Sequence, residues 1–235
     1  NGISYLMKKN KIDVINGFGK VLKANKVCVT KDGQKTEYSA KNIILATGAR
    51  SRVLPNIPQD GKNIIGYRKA MTLTSIPKRM VIVGSGAIGV EFAYFYNSMG
   101  SEVTLIEYMP NIVPIEDIDI SKQLARSLKK TGIKIMTNSS VESVKTIGNT
   151  CKVLVKGKKE EKTIDCDIVL SAVGIEANIE NIGLEDVGIK TDKGRILVDE
   201  FYQTNIPGYY AIGDVLSTQA LAHVASAEGI ICVEK

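Results

Sequence analysis

Long apolar runs are missing from this sequence of 235 residues. No stretch approaches the 18 or so consecutive apolar residues that a membrane-spanning helix needs. The basic start at Met7-Lys8-Lys9 is not followed by the apolar segment of a signal peptide either. We therefore expect a soluble, cytoplasmic protein that does not bind a membrane.

Cysteine and histidine are also scarce. The four cysteines, at positions 28, 151, 166 and 232, form no CxxC pair, and the single histidine, His223, lies at no metal-ligand spacing from them. This pattern excludes a disulfide-dense fold and favours buried, reduced thiols. We expect no metal site.

The composition is that of an ordinary globular protein. Hydrophobic residues make up 44% and charged residues 24%, which excludes intrinsic disorder. The net charge of +6 is spread along the chain, and its densest cluster, at 156–162, contains two glutamates. We interpret this cluster as a solvated hairpin tip rather than a nucleic-acid patch. The length suggests one large domain or two modest ones.

The apolar pattern predicts an α/β protein. Its centre is a Rossmann-like unit with a parallel sheet, helices and an antiparallel β-meander. Helices are predicted over 88–99 and 118–130 and from 221 onward, and the proline-containing segment 55–77 is predicted to be a linker or a crossover. The predicted strands cover 12–16, 26–30, 42–46, 80–83, 103–107, 133–136, 141–147, 151–155, 162–164, 167–174, 196–199 and 209–212.

The strongest local motif is Gly84-x-Gly86-x-x-Gly89, directly after a predicted buried strand. A bare GxGxxG is a weak signal, but a helix pattern follows this one, and an acid, Glu107, ends the next strand. Gly84 allows a tight turn, Gly86 lets backbone approach a pyrophosphate, and Gly89 lets helix and strand pack closely. The helix N-terminus offers N–H groups to phosphates. The motif predicts dinucleotide binding, and the alternative is a structural glycine turn.

Glu107 indicates which dinucleotide is bound. A carboxylate at this position can accept hydrogen bonds from both ribose hydroxyls of an adenosine, and it repels a 2′-phosphate. Residues 108–113 contain no Arg or Lys to receive such a phosphate. The sequence therefore favours NAD over NADP, unless Glu107 is only a polar strand end.

Glu91, two residues past Gly89, is a further acid of interest. We expect it on the first turn of the helix, where the helix dipole favours a carboxylate. A capping role and a role at the nicotinamide end both stay open.

Four strand-end motifs, taken in order, carry a family resemblance. They are Ala46-Thr-Gly48, the GxGxxG with Glu91, Ala172-Val-Gly174, and Tyr210-Ala-Ile-Gly-Asp214. This order resembles the flavoprotein disulfide reductases, which bind two dinucleotides. The stretches 84–91, 107–110 and 221–229 resemble the dihydrolipoamide dehydrogenase branch of that family in particular. The resemblance covers essentially the whole chain.

The resemblance implies separate roles for NAD and FAD. The loop 84–88 would hold the NAD pyrophosphate and Glu107 the adenosine ribose. The implied NAD site comprises Gly84, Ser85, Gly86, Ala87, Ile88, Gly89, Glu91, Glu107, Val141, Ala172, Val173, Gly174 and Ile175. The implied FAD contacts are Gly19, Thr47, Gly48 and Ala49 at the flavin nucleotide, Asp214 at the ribityl hydroxyls, and Ala222 near the flavin ring.

The resemblance also implies a domain division. Residues 1–55 and 179–235 would belong to an incomplete FAD-binding domain, into which an NAD-binding domain, 56–178, is inserted. The family's FAD-type GxGxxG and CxxxxC redox pair would lie before residue 1, and its His-Glu proton relay in a dimerisation domain after residue 235. We therefore expect no catalytic residue in this stretch, and we interpret His223 as a packed residue at a helix start.

The implied activity is the oxidation of a dihydrolipoyl group on a carrier protein of a 2-oxo acid dehydrogenase complex. A homodimeric parent protein would pass the electrons through a cysteine pair and FAD to NAD⁺. These 235 residues alone should bind NAD, hold no FAD and not turn over. The alternatives are a related NAD(P)H-dependent flavoprotein disulfide reductase and a stand-alone NAD-binding module. No nucleic-acid or membrane partner is expected.

Overall fold

A computed structural model describes residues 2–158 and 160–235. The chain forms two compact units. The outer unit comprises Asn1–Arg50 and Glu176–Lys235, and the inserted unit is the continuous stretch Ser51–Ile175. Within the described residues, no helix is both long and apolar enough to cross a bilayer.

The helices and strands are numbered in chain order. The helices are α1 (Gly2–Lys9), α2 (Tyr67–Ala70), α3 (Ala87–Ser98), α4 (Ile118–Lys130), α5 (Leu184–Val187) and α6 (Ala222–Glu234). The strands are β1 (Phe18–Leu22), β2 (Lys26–Lys31), β3 (Gln34–Ser39), β4 (Ile43–Leu45), β5 (Ala49–Ser51), β6 (Ile64–Ile65), β7 (Arg79–Val83), β8 (Glu102–Ile106), β9 (Lys134–Met136), β10 (Ser140–Ile147), β11 (Thr150–Lys156), β12 (Glu161–Cys166), β13 (Ile168–Ser171), β14 (Ile175–Ala177), β15 (Thr191–Asp192), β16 (Arg195–Ile196) and β17 (Tyr209–Ala211).

The inserted unit is built on a five-stranded parallel sheet in the order β6-β13-β7-β8-β9. Its central strands are almost wholly apolar because both of their faces are buried. Ala93 of α3 and Leu128 of α4 pack in the cluster that holds Met80 and Ile82 of β7. The alternate β7 residue Val81 packs in the cluster formed with the meander β10-β11-β12. The predicted parallel sheet with helices and an antiparallel meander is confirmed.

The outer unit contains several small sheets and a separate core. Strands β1, β2 and β3 form an antiparallel sheet, β15 pairs antiparallel with β16, and β4 pairs in parallel with β17. Its core includes Val21, Leu45, Tyr209 and Val215, all nearly fully buried. A 3-10 turn, Gly213–Val215, follows β17, and α6 packs against it.

Three local expectations are wrong. Residues 12–16 form no strand, although they are rich in β-branched residues, because those side chains stay exposed and the backbone has no neighbouring strand. The predicted strand 196–199 is only the two-residue β16. The segment predicted as a linker or crossover is itself part of the sheet, because it contains β6, which pairs in parallel with β13. Helix α1 was not predicted.

Candidate dinucleotide-binding site

The glycine-rich loop connects β7 to α3 through two positions that exclude a side chain. Gly84 has φ +96°, and a Cβ there would collide with the carbonyl oxygen of Ala172. A Cβ on Gly89 would collide with the carbonyl oxygen of Gly84. The tight turn and the close helix-strand packing expected from the motif are therefore both present.

Gly86 has a different environment. It is the N-cap of α3 and makes no side-chain cap hydrogen bond, and a Cβ placed on it would have no neighbour within 4 Å. The first N–H groups of a helix have no partner within the helix, so this end can bind an anion. Ala87 is exposed and Ile88 half-buried at the same end. The open space beside an uncapped helix N-terminus fits a pyrophosphate.

Glu107 directly follows β8, next to this loop, and is only 7% exposed. Its Oε2 accepts hydrogen bonds from the Ser85 backbone N at 2.8 Å and the Ser85 Oγ at 2.6 Å. Its Oε1 accepts from the Met109 N at 2.8 Å. The backbone N of Glu107 donates to the Met136 carbonyl, and its own carbonyl accepts from the Ser139 N. The side chain is thus held at the carboxyl edge of the sheet.

This geometry changes what Glu107 can offer a ribose. A carboxylate has about four acceptor positions, and the three donors of Ser85 and Met109 fill three of them. One position remains, so a hydrogen bond from one ribose hydroxyl, rather than from both, fits the observed carboxylate. Both Ser85 donors are directed at Glu107, which leaves the N–H groups of Gly86 and the first turn of α3 for a phosphate.

The other predicted NAD residues lie around the same sheet edge. Ala172 follows β13, and its N donates to the Val83 carbonyl at 2.8 Å. The residues after it, Val173, Gly174 and Ile175, become half-buried or exposed. Val141 buries its side chain among the meander residues, and its carbonyl accepts from the Asn56 Nδ2 at 2.6 Å.

Glu91 is not on the first turn of α3, contrary to the sequence expectation. The helix begins at Ala87, so Glu91 is its fifth residue, and no acid lies in the first turn. Its exposed side chain is beyond the reach of the N-terminal dipole, which removes the capping interpretation.

The outer unit gathers several of the predicted FAD residues at one edge. Because β4 and β17 are parallel neighbours, Thr47 and Gly48 after the first strand share an edge with Asp214 after the second. Thr47 Oγ1 donates to the Asn178 carbonyl at 2.6 Å, and Asn178 Nδ2 donates to the Thr47 carbonyl at 3.0 Å. Gly48 has φ +68° and open space at its Cβ position.

The remaining predicted FAD residues have mixed environments. Ala49 is buried, whereas Ala222 is exposed at the start of α6. Gly19 is exposed in β1, which belongs to a different sheet. His223 is the second residue of α6, as expected, but it is exposed rather than packed. Among the described residues, no cluster of His, Cys, Asp and Glu could hold a metal ion.

Glu228 is a residue that sequence reasoning missed. It lies in the middle of α6, is 1% exposed, and its Oε2 accepts a hydrogen bond from the Gly213 N at 2.6 Å. Its Oε1 has no hydrogen-bond partner within the part of the chain that the structure describes. No motif signals this contact because it depends on how α6 packs against the 3-10 turn.

Three of the four cysteines are buried. Cys151 and Cys166 are opposite each other in β11 and β12, and both are almost fully buried. Burial raises the pKa of Cys166 to about 12 and also raises the pKa of Cys151. Such thiols remain protonated near neutral pH. Cys232 is buried as well, as expected, whereas Cys28 is only half-buried.

A parallel sheet, an uncapped helix after a GxGxxG turn and an acid at the end of the next strand define a fold of the Rossmann type, the type on which dinucleotide-binding sites are built. The sequence also matches, over residues 1–229, the family described as pyridine nucleotide-disulphide oxidoreductase. The chain belongs to this family.

Individual relatives agree with this assignment. A dihydrolipoyl dehydrogenase of Rhizobium etli is 44% identical over 250 residues, which cover 100% of this chain and 52% of that protein. The crystal structure of LpdA from Mycobacterium tuberculosis has a TM-score of 0.89 at 30% identity, covering 98% of this chain and 51% of that one. The HOCl-induced flavoprotein disulfide reductase RclA of Escherichia coli has a TM-score of 0.81 at 26% identity, covering 96% and 53%. The chain thus spans about half the length of these relatives.

Proposed function

We propose that this chain supplies the NAD site and part of the FAD site of a dihydrolipoyl dehydrogenase. The observation that carries the proposal is the pairing of an open, uncapped helix N-terminus at Gly86 with a fixed carboxylate at Glu107. Two relatives that are dihydrolipoyl dehydrogenases, 42–44% identical over the whole chain, support the choice within the family.

In this proposal each unit holds one cofactor. The inserted unit binds NAD, with the N–H groups at the start of α3 on the pyrophosphate and Glu107 accepting from the ribose. Val141, Glu91 and the segment Ala172, Val173, Gly174 and Ile175 line the rest of that site. The outer unit binds FAD, with Asp214 accepting from ribityl hydroxyls and Thr47, Gly48, Ala49, Gly19 and Ala222 beside the nucleotide or the flavin. When bound, the flavin and the nicotinamide supply the electron-transfer chemistry.

The protein as a whole would oxidise a dihydrolipoyl group on a carrier of a 2-oxo acid dehydrogenase complex, as a homodimer in the cytoplasm. The nearest alternative is another flavoprotein disulfide reductase, and the RclA structure supports it less well, at 26% identity. An NADPH-dependent reductase is disfavoured because no Arg or Lys follows Glu107 through position 113. A stand-alone NAD-binding module is disfavoured because it would give no role to the strand edge that Thr47 and Asp214 share.

The test is a calorimetric titration of NADH and NADPH into the chain and into two variants. Glu107→Ala removes a charge-assisted hydrogen bond worth about 1.5–3 kcal/mol, so we expect NADH binding to weaken by about 10- to 150-fold. NADPH binding should change far less, because the repulsion of the 2′-phosphate disappears at the same time. Gly86→Val should abolish binding of both, since its side chain would fill the open space at the helix end.

The control is Glu116→Ala, which removes an exposed acid from the same connection and should leave both affinities unchanged. Equal weakening of NADH and NADPH by Glu107→Ala would show that Glu107 does not select the ribose. Undiminished binding by Gly86→Val would remove the dinucleotide site itself.

A further inference from the structure

Ser85 joins the glycine-rich loop to the connection that follows β8. Its Oγ and N both donate to Glu107 Oε2, at 2.6 and 2.8 Å, and its carbonyl accepts from the Val113 N at 2.9 Å. The residue is fully buried. Ser85 therefore makes three hydrogen bonds to a segment more than 20 positions away in sequence, and two of them end on one carboxylate oxygen.

These bonds restrict the carboxylate of Glu107. With two donors on Oε2 and the Met109 N on Oε1, rotation of the carboxylate would break several hydrogen bonds at once. The one remaining acceptor position is on Oε1 and thus has a fixed direction. A ribose hydroxyl can donate into that position, whereas a 2′-phosphate, ionised at neutral pH, has no comparable donor and carries like charge.

We propose that Ser85 is a positioning residue that sets the selectivity for NAD over NADP, by holding Glu107 in a single orientation. The inference rests on the proposed NAD site. The GxGxxG turn itself does not require a hydroxyl between Gly84 and Gly86, since the turn is formed by the glycines and the backbone. The hydroxyl therefore has a role that the motif does not assign, and Ser85 acts through Glu107 rather than on the nucleotide.

The experiment is a double-mutant cycle on the dissociation constants of NADH and NADPH, with Ser85→Ala and Glu107→Ala singly and together. Residues in one hydrogen-bond network couple by enough to shift an affinity about three- to tenfold. We expect Ser85→Ala to raise the dissociation constant for NADH by that factor and to leave that for NADPH within about twofold. In the Glu107→Ala background, Ser85→Ala should leave the ratio of the NADPH to the NADH dissociation constant unchanged.

A matched control separates selectivity from stability. Ser101 is also a buried serine of the inserted unit, and its Oγ donates to the Pro77 carbonyl at 2.6 Å, before the amino end of β8. Ser101→Ala should lower the unfolding temperature without changing either dissociation constant. Ser85→Cys, which replaces the hydroxyl with a somewhat larger and weaker donor, should give an intermediate ratio of the two dissociation constants and serves if Ser85→Ala does not fold.

The outcomes distinguish this inference from the proposed function. If Ser85→Ala weakens the binding of NADH and NADPH equally, Ser85 does not set the selectivity, although the NAD site stands. The same holds if Ser85→Ala leaves both dissociation constants unchanged. A ratio that shifts by the same factor in the Glu107→Ala background also overturns the role of Ser85. Failure of the unsubstituted chain to bind NADH overturns both.

Discussion

At the scale of single residues, the buried carboxylate of Glu228 stands out because one of its oxygens is satisfied and the other is not. Oε2 accepts from the Gly213 N, and Oε1 has no hydrogen-bond partner among the described residues. A buried charge without a full set of partners costs free energy, whereas the hydrogen bond that it accepts stabilises the turn. The two effects can be separated because an amide oxygen can accept the same bond without the charge.

We therefore predict different results for two substitutions of Glu228. Glu228→Gln keeps an acceptor for the Gly213 N and should leave the free energy of unfolding equal to or above that of the unsubstituted chain. Glu228→Leu leaves the Gly213 N–H without an acceptor and should lower the free energy of unfolding by about 1–3 kcal/mol. Urea unfolding followed by circular dichroism measures both, with Glu234→Gln, an exposed acid of the same helix, as the control. A fully stable Glu228→Leu would contradict the prediction.

At the scale of elements, a side chain links the amino ends of β13 and β7, two neighbouring strands of the inserted unit. Asp167 precedes β13, and its Oδ2 accepts from the Arg79 N at 2.9 Å and its Oδ1 from the Arg79 Nη2 at 3.1 Å, at the start of β7. Partial burial acts to raise the pKa of Asp167, but the hydrogen bonds and the charge of Arg79 outweigh it, and the pKa lies below its usual value. The ionised carboxylate is thus the form that stabilises the sheet.

The pH dependence follows from this direction. A carboxyl group with a lowered pKa in the folded state contributes stability above its unfolded pKa, near 3.8, and loses it as the pH falls through the folded value. Asp167→Asn should lower the free energy of unfolding by about 1–2 kcal/mol at pH 7, and this deficit should shrink below about pH 4. Urea titrations at pH 7, 5 and 3 measure it. Asp165→Asn, which removes an exposed ion pair with Lys152, should have little effect at any pH. A deficit that does not vary with pH would contradict the assignment.

The sequence predicted the elements whose signals are local. The buried strands β7, β8 and β13 and the helices α3 and α4 follow from apolar runs and helical spacing, and the glycine turn from its motif. The two-residue β6 is too short to give a signal. The bonds from Ser85 to Glu107 and from Gly213 to Glu228 join residues 22 and 15 positions apart, so they depend on packing that no local pattern encodes.

At the scale of the whole chain, the two proposed cofactor sites differ in completeness. The inserted unit contains a glycine-rich turn, a helix N-terminus and an acid, whereas the 235 residues contain no second GxGxxG motif that could hold the FAD pyrophosphate. The remaining FAD contacts are too few to offset the entropy lost on immobilising such a ligand. We predict that the purified 235-residue polypeptide binds NADH but retains no FAD.

The measurement is the absorbance spectrum after gel filtration in the presence of added FAD, with NADH binding followed in parallel by fluorescence. The Gly86→Val variant is the control and should lose NADH without altering the flavin result. A yellow protein with one FAD per chain would contradict the prediction.

The outer unit stops at Arg50 and resumes at Glu176. These two residues form an ion pair, with the Arg50 Nη2 and the Glu176 Oε2 3.2 Å apart, so the two ends lie side by side. Strands β5 and β14, which contain these residues, are also hydrogen-bonded neighbours. The two points at which the stretch 51–175 joins the outer unit therefore lie next to each other. Such a stretch can be exchanged for a short turn, or moved into another host, with little change in the path of the chain that remains.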